Sequence, residues 1–259
     1  MRVAVRLFRS LSVSIHEQRV KLTSPNERAL FTTLAIDAGQ PVSLNKICRA
    51  LWGREYSEEL EGALRPVVTR LRKTLGEARS LIITEPFAYR LAISPDNVDF
   101  LVIDSAVKQG MAAYSTRDWP QCLALLTEPA AIRADEFLAD VRSPYLHAEY
   151  VEPFKTRAPL VLARQIEAFI RMSFPRASGN VLYELEGVIS DSPGDEHLRW
   201  MYMLAQYRAG RPSQALDAYR GTRNYLIAET GVEPGAELQD LQKFILAKDS
   251  RLLETPFLD

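Results

Sequence analysis

Strand signals stop at Ser94-Pro95. Before that dipeptide, short alternating apolar runs are interleaved with helical patterns. From about Val98 onward only amphipathic helical patterns remain, separated by short Gly, Pro and Asp breaks. The chain therefore divides into an α+β module, residues 1–95, and an all-α module, residues 96–259, with the natural boundary at Ser94–Asn97. The fold class is mainly α, and 259 residues accommodate two such modules.

The first module opens with three short strands. Val3, Val5 and Leu7 alternate, as do Leu11, Val13 and Ile15; Val20 and Leu22 form a third pair, and His16–Arg19 fits a turn. Ser24 is then a candidate N-cap, with Pro25 at the first helical position and Glu27 placed to complete a capping box. The first helix ends at Gly39-Gln40-Pro41, Ser43 caps a second that closes at Gly53, and a third covers roughly 58–75, ending at Gly76. A hairpin follows: Leu81–Thr84, a turn around Glu85–Ala88, then Tyr89–Ile93. In the second module the spacing predicts helices near 99–115, 118–127, 143–173, 178–191, 194–208, 212–229 and 235–247. Residues 197–230 have the length of one tetratricopeptide unit, with Gly210, Ala215 and Tyr219 at places where two helices of a pair would meet. A generic helical bundle is the competing reading.

Charge separates the modules further. Residues 1–94 carry 15 Lys or Arg against 9 Asp or Glu, a net of +6, whereas residues 95–259 carry 17 against 24, a net of −7. A basic first part joined to an acidic remainder points the first part at a polyanion. The charge concentrates on the third helix. Leu64, Val67, Val68, Leu71 and Leu75 share one face, while Arg65, Thr69, Arg72 and Lys73 lie opposite, with Arg70 on the flank. Such a helix has the width and charge to enter a DNA major groove, where Arg reads guanine and Lys or Thr mostly meet phosphates. On the helix alone, a solvated face with cations matched to the macrodipole fits as well. The hairpin that follows favours DNA, because helix then two-stranded wing is the winged-helix arrangement, in which the wing reaches the neighbouring groove. Pro66 is awkward inside this helix. A helix beginning near Gly62 and Ala63 would leave it close to the first turn, where proline costs little.

Other chemistries find little support. His16, His147 and His197 are far apart in sequence, and no Gly-rich phosphate loop or nucleophile elbow occurs. No enzymatic activity, cofactor or metal is expected. The acidic groups Asp135, Glu136 and Asp140, and Glu55, Glu58, Glu59 and Glu61, read as solvated faces or helix N-terminal charges. Cys48 and Cys122 have no pairing or metal spacing, which fits buried thiols in a reducing cytosol. No apolar run approaches a membrane span, and the alternating N-terminus is unlike a signal peptide, so a cytoplasmic protein without a membrane partner is expected.

The stretch from Val20 to Gly53, with its Leu-Thr before the Glu27 helix and Leu-Trp-Gly at its end, resembles an OmpR-type winged helix, and Thr69–Gly76 resembles that family's recognition helix. Residues 204–249 resemble the bacterial transcriptional activation domain. The combination is similar to the Streptomyces antibiotic regulatory protein family. The resemblance implies a transcription activator with double-stranded promoter DNA as partner, binding direct repeats as side-by-side protomers and recruiting RNA polymerase through its sigma factor. It implies DNA contacts from Arg65, Thr69, Arg70, Arg72 and Lys73, and adds Arg90 on the wing. The family's usual Gly before the wing Tyr is here Ala88, so a different wing turn is expected. The altered wing and Pro66 keep an alternative in view, a non-enzymatic protein-interaction module whose winged helix has lost or weakened specific DNA binding.

Overall fold

A computed structural model of the chain describes residues 2–172 and 179–253. The chain divides into two compact units, one of residues 1–106 and 131–158, the other of residues 107–130 and 159–259.

The first unit starts with an antiparallel meander, β1 (Val3–Arg6), β2 (Ser12–Ile15) and β3 (Gln18–Val20). Val3 pairs with Ile15 and Val5 with Val13, which puts these four side chains on the buried face. His16 and Glu17 form the two-residue turn, both at positive φ (49° and 70°), the backbone hand that matches strand twist. Next comes α1 (Pro25–Ile36). The capping box expected at its start does not form: the Ser24 side chain makes no cap hydrogen bond. Glu27 is instead buried and finds its partners on the third helix, because a carboxylate out of water needs them.

The strand β4 (Val42–Ser43) leads into α2 (Leu44–Trp52). Ser43 Oγ accepts from Lys46 N at 3.2 Å, and Gly53 closes the helix in the left-handed conformation, φ 68°. Then comes α3 (Glu58–Leu75). Ser57 caps it through Leu60 N, and Glu58, Glu59 and Glu61 fill its first turn. These signals fix the start well ahead of Pro66, so the late start near Gly62 and Ala63 is corrected: Pro66 lies inside the helix. The carbonyl that its ring crowds, four residues back, belongs to exposed Gly62, whose Cα faces open space. The hairpin β5 (Ile82–Glu85) and β6 (Ala88–Leu91) completes a sheet of order β4-β6-β5, and the module is a winged helix.

The same unit takes in the start of α4 (Asp99–Ser115) and residues 131–158. Asp99 accepts from Leu7 N at 2.8 Å, and Asp140 accepts from Leu11 N at 2.9 Å and pairs with Arg28. Asp140 is exposed, as its sequence neighbourhood suggested, and it also serves one backbone amide of the β1–β2 connection. Phe8, Phe100, Phe137 and Phe154 pack ring against ring, at centroid distances of 4.6–6.5 Å. The single turn α6 (Pro144–Leu146) passes through a π-helical turn, His147–Val151, into α7 (Glu152–Met172). One unbroken helix was expected here. Pro153 offers no N–H to the carbonyl of Glu149, and the hydrogen-bond ladder shifts around it.

The second unit is helical: α5 (Trp119–Ala130), α8 (Gly179–Asp191), α9 (Glu196–Arg208), α10 (Pro212–Thr230) and α11 (Ala236–Ala247), with the later part of α7. The expected helix ends at 173 and 178 lie outside the described residues. Met201, Leu204 and Ala205 of α9, Ala215 and Tyr219 of α10, and Leu238 and Leu241 of α11 share one core. Fully buried Ala215 lets α9 and α10 approach, and Gly210 (φ 76°) turns the chain between them, as the spacing in 197–230 suggested. Cys48 and Cys122 are unpaired and buried.

Candidate nucleic-acid interface

One helix sets the geometry of the interface. Leu64, Val67, Val68, Leu71 and Leu75 are buried and hold α3 on the core of its unit. The helical period then turns the opposite stripe to solvent, where Arg65, Thr69, Arg70 and Lys73 line a shallow concavity with Gly62 and Pro66. The structure brings these four expected contact residues together. Arg70, 64% exposed, is steadied from below by Glu27, 3% exposed, at 3.8 Å, and Thr74 Oγ1 donates to the same carboxylate at 3.4 Å. Lys73 is exposed and makes no ion pair among the described residues. Thr69 Oγ1 donates to Arg65 O at 2.9 Å.

The other two expected residues lie elsewhere. Arg72 reaches sideways from α3, and its Nη2 donates to Ile82 O at 2.7 Å and Thr84 Oγ1 at 2.8 Å. It fastens the wing to the helix. Arg90 Nε donates to Glu85 Oε1 at 2.6 Å across the base of the wing turn. The wing turn does not use position 88. Ala88 belongs to β6, and the positive φ, 55°, falls on Phe87.

Arg65 carries a partner that restrains it. Its Nη2 donates to Glu61 Oε1 at 2.8 Å, and the second oxygen of that carboxylate accepts from Tyr56 OH at 2.6 Å. The Tyr56 hydroxyl and then the Arg65 guanidinium hold the Glu61 carboxyl below the usual carboxylate range. Hydrogen bonding to Glu61 holds Arg65 above the ordinary arginine range. An anion approaching Arg65 must compete with this carboxylate. Glu61→Gln should therefore tighten duplex binding roughly two- to fivefold at low salt, the scale of an exposed ion pair. A fluorescence-anisotropy titration measures it, and weaker binding would contradict the role. The spacing of four between Glu61 and Arg65 carried this signal in the sequence. The burial of Glu27 had no local signal.

Among the described residues, no group of His, Cys, Asp and Glu could hold a metal ion, and no helix is long and apolar enough to cross a membrane.

A winged helix with a basic outward stripe, followed in sequence by a helical unit, matches known regulators over most of its length. Residues 17–91 match the family described as "Transcriptional regulatory protein, C terminal", and residues 98–246 match the "Bacterial transcriptional activator domain". The chain belongs to the Streptomyces antibiotic regulatory protein family, of which this pair of domains is the signature. It is 30% identical over 246 residues to the transcriptional regulatory protein EmbR of Mycobacterium tuberculosis, covering 93% of this chain and 62% of EmbR. It is 28% identical over 229 residues to the regulatory protein AfsR of Streptomyces griseus, covering 88% of this chain and only 23% of AfsR. With the regulatory protein DnrI of Streptomyces peucetius the identity is 28%, covering 86% of this chain and 84% of DnrI. A solved structure of M. tuberculosis EmbR, in complex with a low-affinity phosphopeptide, superposes with a TM-score of 0.66 at 27% identity, covering 95% of this chain and 65% of that one. The chain thus spans less than two thirds of AfsR and EmbR.

Proposed function

We propose that the chain is a sequence-specific DNA-binding transcription activator. Residues 1–95 form the reading module and residues 96–259 the regulatory one. The protein acts in the cytoplasm, binds direct repeats in promoter DNA as adjacent copies, and recruits RNA polymerase through its sigma factor. No step of this is catalytic. One observation carries the reading: Arg65, Thr69, Arg70 and Lys73 share the solvent face of a helix whose other face is buried. In this reading Arg65 meets base edges, and Arg70, Lys73 and Thr69 meet phosphates. Arg72, from α3, and Arg90, on β6, set the position of the wing beside that helix. The test is selection of duplexes by the purified chain from a random pool, followed by binding at 50 and 200 mM salt. A specific activator enriches a repeated motif and holds it at the higher salt, and the same duplex placed upstream of a promoter raises transcription by purified RNA polymerase.

A second reading is favoured by the internal pairing of Arg65, Arg70, Arg72 and Arg90, four of the six expected contacts. In it the winged helix is a protein-interaction module. Enrichment of no motif, with binding that vanishes by about 200 mM salt, would support that reading instead.

A further inference from the structure

The β5–β6 hairpin closes through Pro86 and Phe87 alone, since Glu85 pairs with Ala88. A turn this short between twisted strands needs a residue at positive φ. Pro86 cannot supply it, because its ring fixes φ near about −65°. The requirement falls on Phe87, at φ 55°, a region that bulky side chains rarely occupy. Gly or Asn would make the same turn without strain. Nothing in the fold rewards the ring that is there. Phe87 is 77% exposed, and among the described residues it makes no ring contact.

The backbone beneath the ring is fixed from two sides. Phe87 O accepts from Leu44 N at 3.0 Å, at the start of α2. Ser43 pairs with Ala88, so the tip is stitched to β4. From α3, Arg72 grips Thr84 and the carbonyl of Ile82. A strained, unpacked aromatic ring is thus held at a set place relative to the basic helix.

We propose that Phe87 is an apolar wedge for duplex DNA. With α3 in the major groove, the ring enters the adjacent minor groove, slips partly between two stacked base pairs and kinks the duplex. The inference rests on the DNA-reading function proposed above. The surroundings favour DNA over a protein surface: the tip belongs to the module of net charge +6 and follows the reading helix in sequence, and Arg90 pairs with the adjacent carboxylate of Glu85. A wedge also reads sequence without hydrogen bonds. Pyrimidine–purine steps unstack most easily, so the preferred site carries a TA or CA step at a fixed distance from the bases read by α3.

The full chain, its Phe87→Gly variant and its Phe87→Leu variant test this on the duplex that the unaltered chain selects from a random pool. Bending is read by energy transfer between the duplex ends, and unstacking by 2-aminopurine placed at successive steps. The unaltered chain should bend its duplex by tens of degrees and raise 2-aminopurine fluorescence at one step. Phe87→Gly keeps the turn conformation, so its thermal midpoint should stay or rise. It should lose the bend and the preference for the flexible step, and bind roughly tenfold more weakly, the scale of one stacked ring. The salt dependence should not change, since no charge is removed. Phe87→Leu should keep most of the bend. An unbent duplex, or an equal bend with Phe87→Gly, overturns the wedge and leaves the DNA-reading function standing. The same holds if Phe87→Gly binds and bends normally but loses RNA polymerase, which would place the ring on a protein. A chain that binds no duplex at all overturns both.

Discussion

Replacing Arg70 and Lys73 together by Ala should weaken duplex binding about 60-fold at 0.1 M salt and flatten the log–log salt dependence by about 1.8 units. The figures follow from counterion release: each phosphate neutralised on B-DNA contributes a slope of about −0.9, and two are lost. Both residues stand on the exposed stripe of α3. Arg70 is held there by Glu27, whose carboxylate is buried and cannot itself meet the DNA. The contrast with Arg72→Ala makes the prediction specific. Arg72 belongs to the same basic run, yet its guanidinium is spent on Ile82 O and Thr84 of the wing. Its removal should leave the salt slope unchanged, loosen the hairpin and blur sequence preference. Mobility shifts from 50 to 300 mM salt separate the two behaviours. An unchanged slope in the double variant, or a flattened one in Arg72→Ala, would show that the outward stripe is not the phosphate-binding surface.

What the chain revealed in advance was what its local signals encode. Ser43 and Gly53 announce the two ends of α2, and the 100° period places Arg65, Thr69 and Lys73 on one face without any knowledge of the fold; it also puts Arg72 there and Arg70 on the flank, whereas in the structure Arg70 joins the outward stripe and Arg72 turns to the wing. That Val3 and Val5 share one face of their strand, and Val13 and Ile15 one face of theirs, follows from alternation alone. The partners of side chains across the fold had no such signal. Glu27 looks like a capping residue because Ser24 precedes it by three, but its partners lie 43 and 47 residues onward, at Arg70 and Thr74. Arg72 and Arg70 are neighbours in the same basic run, and only the docking of the wing separates their roles. Asp140 reads as a surface acid and is one, but its hydrogen bond to Leu11 N and its pairing with Arg28 had no local signal. The wing lies between these cases. A turn at Glu85–Ala88 was legible, whereas the assignment of its positive φ to Phe87 needed the register of the strands.

Glu167→Gln should destabilise the helical unit by about 3 kcal/mol at pH 7 and remove an acid-sensitive step from its unfolding. Glu167 lies on α7 with its side chain 2% exposed. Its Oε1 accepts from Arg171 Nε at 3.0 Å, and its Oε2 accepts from Tyr114 OH at 2.7 Å and lies 2.7 Å from His197 Nε2. Arg164 approaches the same oxygen at 3.4 Å while lying over the Tyr114 ring, and Arg171 lies over Trp119 and Trp200. The carboxylate is thus the common partner of four side chains from α4, α7 and α9. Burial pushes its pKa up, but the hydrogen bonds from His197 and Tyr114 and the charge of Arg171 outweigh burial and bring it down to about 2. A carboxyl depressed from its ordinary value of 4.5 to about 2 contributes about 3 kcal/mol, present above pH 4.5 and lost as the pH falls towards 2. The amide of the variant keeps the shape but has no charge to lose, so its stability should be lower at pH 7 and should lack this loss between pH 4.5 and 2. Urea unfolding at pH 7, 4 and 3, followed by the fluorescence of Trp119 and Trp200 beside the cluster, measures both effects. Equal stability of the two proteins at pH 7, with parallel decline in acid, would mean that the packing of Arg171 between the two indoles, and not the carboxylate, holds these helices together.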